Sequence, residues 1–266
     1  MIFPELPAAA DRLREKKPLV HCITNYVTAT DTANMLLAAG ASPIMADDMT
    51  ESAEITAQAD ALLINLGTPS AARVEAMLRS ACAANEKGIP IVLDPVGAGA
   101  SSFRRQALAQ LFSAADITIL RGNLSEISAL CDIPCGAHGV DCEGDSGAMS
   151  AAVAAARRFG CACVVTGKTD AVADSDNRLV INNGSQLLKQ ITGAGCMTSA
   201  LTAAYSAVAA PLCAAILGAA TMGILGEIAQ EKSADSGLGR FHEELFNAAG
   251  KLNSTILSER ICYEKG

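Results

Sequence analysis

Thr192-Gly193-Ala194-Gly195-Cys196 interrupts a strand-like run and opens a long Ala-rich apolar segment. Ahead of it stand Arg178-Leu179-Val180-Ile181, a turn at Asn182-Asn183-Gly184, and the strand-like Leu187-Leu188-Lys189-Gln190-Ile191. Behind it, Met197-Thr198-Ser199-Ala200-Leu201-Thr202-Ala203-Ala204-Tyr205 contains neither Pro nor Gly to stop a helix. The two glycines let the backbone turn its N–H groups inward with no Cβ in the way. The helix adds its own unpaired N–H groups and the positive end of its dipole. Such a turn binds anions, phosphate above all. Cys196 is the first side chain past the loop, and in that field it is expected to be a thiolate rather than a core thiol. The stretch reads as a phosphoryl-transfer centre, with Gly193, Ala194 and Gly195 as the anion hole and Cys196 beside the group transferred.

Around this centre, short strand-like runs alternate with longer helix-like ones. They are Leu19–Ile23, Ser42–Met45, Ala61–Asn65, Pro90–Asp94, Ile117–Leu120 and Cys161–Val165. Most are apolar on both faces, as buried parallel strands are. Between them, Val74, Met77 and Leu78 fall on one helical face, and Gly88 closes that helix before the next strand. The alternation predicts a layered α/β fold with right-handed crossovers, a mostly parallel sheet flanked by helices. Its 266 residues fit one such domain, 1–266. Aromatics are only 3% of the chain and Trp is absent, so Ala, Val, Leu and Ile must build the core.

Charge and cysteine content narrow the function. A net charge of −8 argues against nucleic acid or anionic membrane as a partner, yet leaves room for a local phosphate pocket. The apolar stretch from Met197 to about Gln230 raises the membrane question. Its scattered Thr and Ser and its break at Pro211 fit buried helices better. Ten cysteines in a large chain with no signal-like start read as reduced thiols of a cytoplasmic protein. Cys131, Cys135 and Cys142 with His138 have no common zinc spacing.

The ends of the strands carry the polar residues. In open α/β sheets ligands bind there. The ends read Thr24-Asn25-Tyr26, Met45-Ala46-Asp47-Asp48, Asn65-Leu66-Gly67-Thr68, Asp94-Pro95-Val96-Gly97-Ala98-Gly99, Arg121-Gly122-Asn123-Leu124-Ser125-Glu126 and Thr166-Gly167-Lys168. Each polar residue alone is accounted for as a helix cap or a surface charge. Together they supply what phosphoryl transfer needs. Asp94 and Glu126 could hold Mg²⁺ through its waters, and Arg121 and Lys168 could offset phosphate charge. His21, inside an apolar strand, reads as a satisfied core histidine.

In this order the motifs resemble the hydroxyethylthiazole kinases. The resemblance is carried by Pro18–Val27, Gly40–Ala46, Asn65–Thr68, Asp94–Gly99 with Phe103-Arg104, Gly122–Glu126, Thr192–Met197 and Gly237–Phe241. It implies a ribokinase-like three-layer sandwich without a lid domain. It also implies transfer of the ATP γ-phosphoryl group to the primary alcohol of 4-methyl-5-(2-hydroxyethyl)thiazole, a salvage step towards thiamine. By motif position Met45, Gly193, Asn25 and Gly67 fall on the thiazole side. Arg121, Thr166, Asn123 and Lys168 fall on the ATP side, Asp94 and Glu126 serve Mg²⁺, and Cys196 faces the hydroxyl. The Asn25 amide is suited to a heteroaromatic ring, since it both donates and accepts. The resemblance further implies a homotrimer with active sites between subunits. The chain departs from the family pattern in the acidic Asp47-Asp48-Met49-Thr50-Glu51, in Cys142 after Gly139-Val140-Asp141, and at Lys168. Other alcohol kinases of the same fold remain open, acting on a pyrimidine, a pyridoxal-like vitamer or a sugar. So do an ADP/ATP-dependent epimer-repair dehydratase, which Asp in place of Cys196 would favour, and a nucleotide-binding regulator.

Overall fold

The computed structural model describes residues 3–134, 145–234 and 236–266; Cys135, His138, Gly139-Val140-Asp141 and Cys142 lie outside the described residues. Six parallel strands form the body of one sheet: β1 (Leu19–Ile23), β2 (Ser42–Ile44), β3 (Ala61–Asn65), β4 (Ile91–Asp94), β5 (Ile119–Asn123) and β6 (Ala162–Thr166). Three antiparallel strands extend it, β7 (Asp170–Ala173), β8 (Arg178–Ile181) and β9 (Tyr263–Lys265). The order is β2-β1-β3-β4-β5-β6-β7-β8-β9. The chain therefore leaves β1 towards one edge and returns to its other side for β3. That reversal opens a crevice at the carboxyl ends of β1 and β3.

Adjacent residues of one strand feed different cores, because side chains alternate across a sheet. Leu63 packs with α8 (Ala194–Ser206) and α9 (Pro211–Ser233) on one face. Leu62 and Ile64 pack on the other, with α4 (Ala71–Lys87), α5 (Ser102–Ala114) and α7 (Asp145–Phe159). Burial on both sides is why these strands are uniformly apolar. Local signals set the helix limits. Ser70 accepts from the Arg73 N–H at the start of α4, and Gly88 ends it in the left-handed region at φ 74°.

Three elements differ from the sequence expectations. The run 187–191 is no strand: Gln186–Gln190 forms a 3₁₀ turn begun by Ser185, whose hydroxyl accepts from the Leu187 N–H. No neighbouring strand is offered there, so local side-chain bonding decides the conformation. The strand expected over 117–120 lies two residues further on, and β7 and β9 were not anticipated. Helix α9 is apolar all round and long enough to cross a membrane, but 89% of its most apolar stretch is buried inside the fold. It reaches that depth because Gly218 has no side chain: a Cβ there would stand 2.8 Å from Thr202 Cα on α8. Gly218→Ala is therefore expected to destabilise the protein by about 1–3 kcal/mol through overpacking. Gly239→Ala, whose added methyl meets nothing, should be neutral or stabilising by up to about 1 kcal/mol. Urea melts of the two variants check this.

Candidate active site

The crevice at the strand ends is organised by Asn65, the last residue of β3. Its Oδ1 accepts from Asn25 Nδ2 at 3.1 Å and from the Gly67 N–H at 2.9 Å. Its Nδ2 lies 3.0 Å from Asp94 Oδ2 and 3.3 Å from Cys196 Sγ. Parallel pairing sets Asn65 beside Asp94 in register, so the two polar ends meet without a loop between them. Asn65 is fully buried, and each of its polar atoms has a partner.

Helix α8 points its N-terminus into this crevice. Gly193 caps it at φ 93°, a conformation that suits glycine, with no side-chain cap. The first helical bond runs from the Met197 N–H to the Gly193 carbonyl at 2.8 Å. The N–H groups of Ala194, Gly195 and Cys196 precede that bond, as the first-turn groups of a helix do. They are thus available to an anion in a cavity of about 500 Å³ that Ala194 and Gly195 help to line. Arg121, only 8% exposed, packs against Gly195 so closely that a Cβ there would lie 2.8 Å from Nη1. Its Nη2 donates to Thr166 Oγ1 at 2.6 Å, and Nη1 lies 3.6 Å from Asp94 Oδ2. Lys168 and Lys189 line the same cavity.

Cys196 departs from expectation. Its thiol is pushed up from the ordinary value, first by burial and then by the Asp94 carboxylate; hydrogen bonds from Thr28, Asn25 and Asn65 oppose the rise. Burial and Asp94 thus oppose the thiolate read from the sequence. Asn25 also differs. Its Oδ1 accepts from the Thr28 N–H and its Nδ2 donates to Asn65 and to Cys196 Sγ, so the amide is committed within the protein rather than free for a ring.

Asp94 is buried, and burial raises its carboxyl to about 6, against the pull of Arg121 and with a further push from Glu126. Ser199 Oγ donates to Oδ2 at 2.8 Å, while Oδ1 is buried with no protein partner. Glu126 is more occupied. Oε2 accepts from the Asn123 N–H and Oε1 from the Gly97 N–H, both at 2.9 Å. Asn123 accepts from the Glu126 N–H in return, making a capping box at the start of α6 (Leu124–Leu130). Asn123 is thus a helix cap, and Glu126 joins the two turns that follow β4 and β5. Among the described residues no group of three or more His, Cys, Asp or Glu could hold a metal. Two carboxylates, one with an unmatched buried oxygen, instead suit Mg²⁺, which keeps most of its waters.

The remaining expected residues lie nearby. Gly67 abuts Asn25, 2.7 Å separating its would-be Cβ from Asn25 Cβ. Met45 lines a second, small cavity of about 130 Å³ with Thr24, Tyr26, Asp47 and Arg73, apart from the main one. His21 is buried, with its nitrogens 2.8 Å from Thr56 Oγ1 and 2.7 Å from the Ala46 carbonyl oxygen, a core histidine. All described cysteines are free thiols. Sequence reasoning missed Asn65 and Ser199 as site residues, and Asp170, which lines the main cavity and accepts from the Gly167 N–H. Asn65 alone carried a signal, as a polar residue closing an apolar strand.

Comparison with known proteins agrees with this geometry. The hydroxyethylthiazole kinase family model matches residues 10–255. A hydroxyethylthiazole kinase of Ruminiclostridium cellulolyticum is 44% identical over 253 residues, 93% of each chain. The solved structure of a hydroxyethylthiazole kinase protein from Pyrococcus horikoshii OT3 superposes with a TM-score of 0.91 at 38% identity, covering 99% of this chain and 100% of that one. A ribokinase-like superfamily protein of Enterococcus faecalis, at 12% identity and TM-score 0.63, covering 89% of this chain and 87% of its own, shares the fold alone. A relative of such identity over nearly the whole chain, together with the sheet order and the phosphate-ready mouth of α8, places this protein in the hydroxyethylthiazole kinase family.

Proposed function

We propose that the cleft transfers the γ-phosphoryl group of ATP to the primary alcohol of 4-methyl-5-(2-hydroxyethyl)thiazole, acting in thiamine salvage as a single cytoplasmic domain. One observation carries the reading. The unspent N–H groups at the start of α8 lie at the main cavity, which Ala194, Gly195 and Arg121 line, and Cys196 follows them in the same helical turn. ATP occupies the main cavity, its phosphates facing Arg121, Lys168 and the α8 amides. The alcohol approaches from the side of Asn25, Gly67 and Met45.

Positioning and charge do most of the chemistry, because phosphoryl transfer passes through a loose transition state. The N–H groups of Ala194 to Cys196 meet charge on the transferred group and contribute on the order of a few kcal/mol in a dry site. Asp94 and Glu126 would hold Mg²⁺, which would supply neutralisation of phosphate charge there. Asp94 also fixes Arg121, and Ser199 and Asn65 fix Asp94. Cys196, whose thiol burial pushes up, orients the alcohol, and proton removal adds little, since the alcohol loses its proton late. Exposed Tyr26, Val27, Met45 and Met49 cluster by sequence at the acceptor end, which supports a homotrimer closing the site between subunits. A solution mass of one chain would remove that part.

Turnover of the thiazole alcohol with ATP, set against hydroxymethylpyrimidine as control, tests the substrate. Near-equal rates would reduce the assignment to an alcohol kinase of this fold. Cys196→Ala is expected to lower kcat about 10- to 100-fold with little change in KM. Cys196→Asp should retain turnover, since Asn25 and Asn65 donate to a carboxylate as they do to sulfur. An unchanged kcat in the Ala variant would make the thiol a spectator. Protons and Mg²⁺ compete for Asp94. Its carboxyl is raised to about 6, so it takes up a proton as pH falls through that value. The Mg²⁺ concentration for half-maximal rate should then rise, by about tenfold per pH unit below about 6. Asp94→Asn should abolish that dependence along with most activity, and a flat Mg²⁺ requirement between pH 5 and 8 in the unmodified enzyme would remove Asp94 from the metal.

A further inference from the structure

Arg73, on the first turn of α4, grips three strand ends at once. Nη1 donates to the carbonyl and hydroxyl oxygens of Thr68 at 3.2 and 3.1 Å. Nη2 donates to the Thr24 carbonyl, and Nε lies 2.9 Å from Asp47 Oδ2. Thr24 follows β1, Asp47 follows β2 and Thr68 follows β3. The side chain is 14% exposed and lines the 130 Å³ cavity beside Met45. None of its three partners lines the larger cavity.

A second observation shows what the grip does. Thr68 has φ 43°, in the left-handed region that a β-branched residue rarely enters. Non-glycine residues held there persist only where their surroundings impose it. Arg73 binds Thr68 through both main chain and side chain. On the other side of the same turn, Arg104 Nη1 donates to the Leu66 and Val96 carbonyls. Between them Gly67 presses on Asn25, whose Nδ2 donates to Cys196 Sγ. The hold on Thr68 is thereby passed to the sulfur through two contacts, Gly67 on Asn25 and Asn25 on Cys196.

We propose that Arg73 is a positioning residue for the acceptor alcohol: by pinning Thr68 in its left-handed conformation it sets the Gly67–Asn25–Cys196 line and the walls of the small cavity. This rests on the functional reading above. It separates the acceptor half of the site, which Arg73 controls, from the nucleotide half, which it does not touch. A purely structural role would instead weaken both halves together.

The test is a steady-state cycle with ATP and the thiazole alcohol on Arg73→Met, Arg73→Lys, Thr68→Gly and the Arg73→Met/Thr68→Gly pair. Arg73→Met should raise KM for the alcohol about tenfold through the cavity wall and lower kcat through Cys196, since small misplacements of a reacting group are costly. KM for ATP should stay within about twofold of the unmodified enzyme. Arg73→Lys should fall between, keeping the charge but losing the fork. Thr68→Gly should restore part of the loss in the Arg73→Met background, because glycine enters the left-handed region unaided. Equal rises in both KM values, an unchanged alcohol KM, or no recovery in the pair would overturn the proposal. Should Arg73→Met fail to fold, Asp47→Asn at a half-exposed partner serves instead. It should raise alcohol KM alone by about two- to fivefold, and no change there overturns it equally. Absence of turnover in the unmodified enzyme would be a separate result, sinking the functional reading itself.

Discussion

The amide of Asn65 is the interaction on which the centre depends. It stands where the sheet reverses direction, fully buried, and joins the ends of β1, β3 and β4 to the first turn of α8. A buried amide left without partners is costly, and here the oxygen and the nitrogen are each held between two of the four groups around it. Gly67, Asn25, Asp94 and Cys196 are thereby fixed relative to one another before substrate arrives. Preorganisation of this kind suits a reaction that asks for placement more than for strong acid or base.

The electrostatics follow from the same burial. The positive end of α8 and Arg121 favour negative charge, yet burial raises both the Asp94 carboxyl and the Cys196 thiol. For these two groups the loss of solvent outweighs what their neighbours repay. The site is therefore held in a state that welcomes incoming phosphate and cation, rather than one neutralised by its own side chains.

Much of the architecture was legible in the chain. Apolar runs of four or five residues marked the buried strands, and Ser70 and Gly88 marked a helix at both ends, because burial and capping act locally. The strands β7 and β9 were not legible: Asp170–Ala173 is short and ordinary in composition, and its pairing is decided by chain folded from elsewhere. At the site, residues named for their type were found near the cleft, but the partners of each were not legible from single positions. Glu126 and Asn123 turned out to share a capping box, and the ionisation of Cys196 depends on Asp94, about one hundred positions away in sequence. Sequence shows which groups exist; the field each one feels is a property of the folded neighbourhood.

The two halves of the site are built from different kinds of chain. The acceptor half hangs on turns locked between parallel strands. Much of the wall of the main cavity is the segment from Asn182 to Lys189, laid over α9 where Gly223 leaves no side chain beneath Asn183. That segment forms no hydrogen bond to Asn65, Asp94 or Cys196 among those of the described residues. That segment can therefore change without breaking a hydrogen bond to the Asn65 centre, while the groups that Asn65 joins are left little freedom to drift.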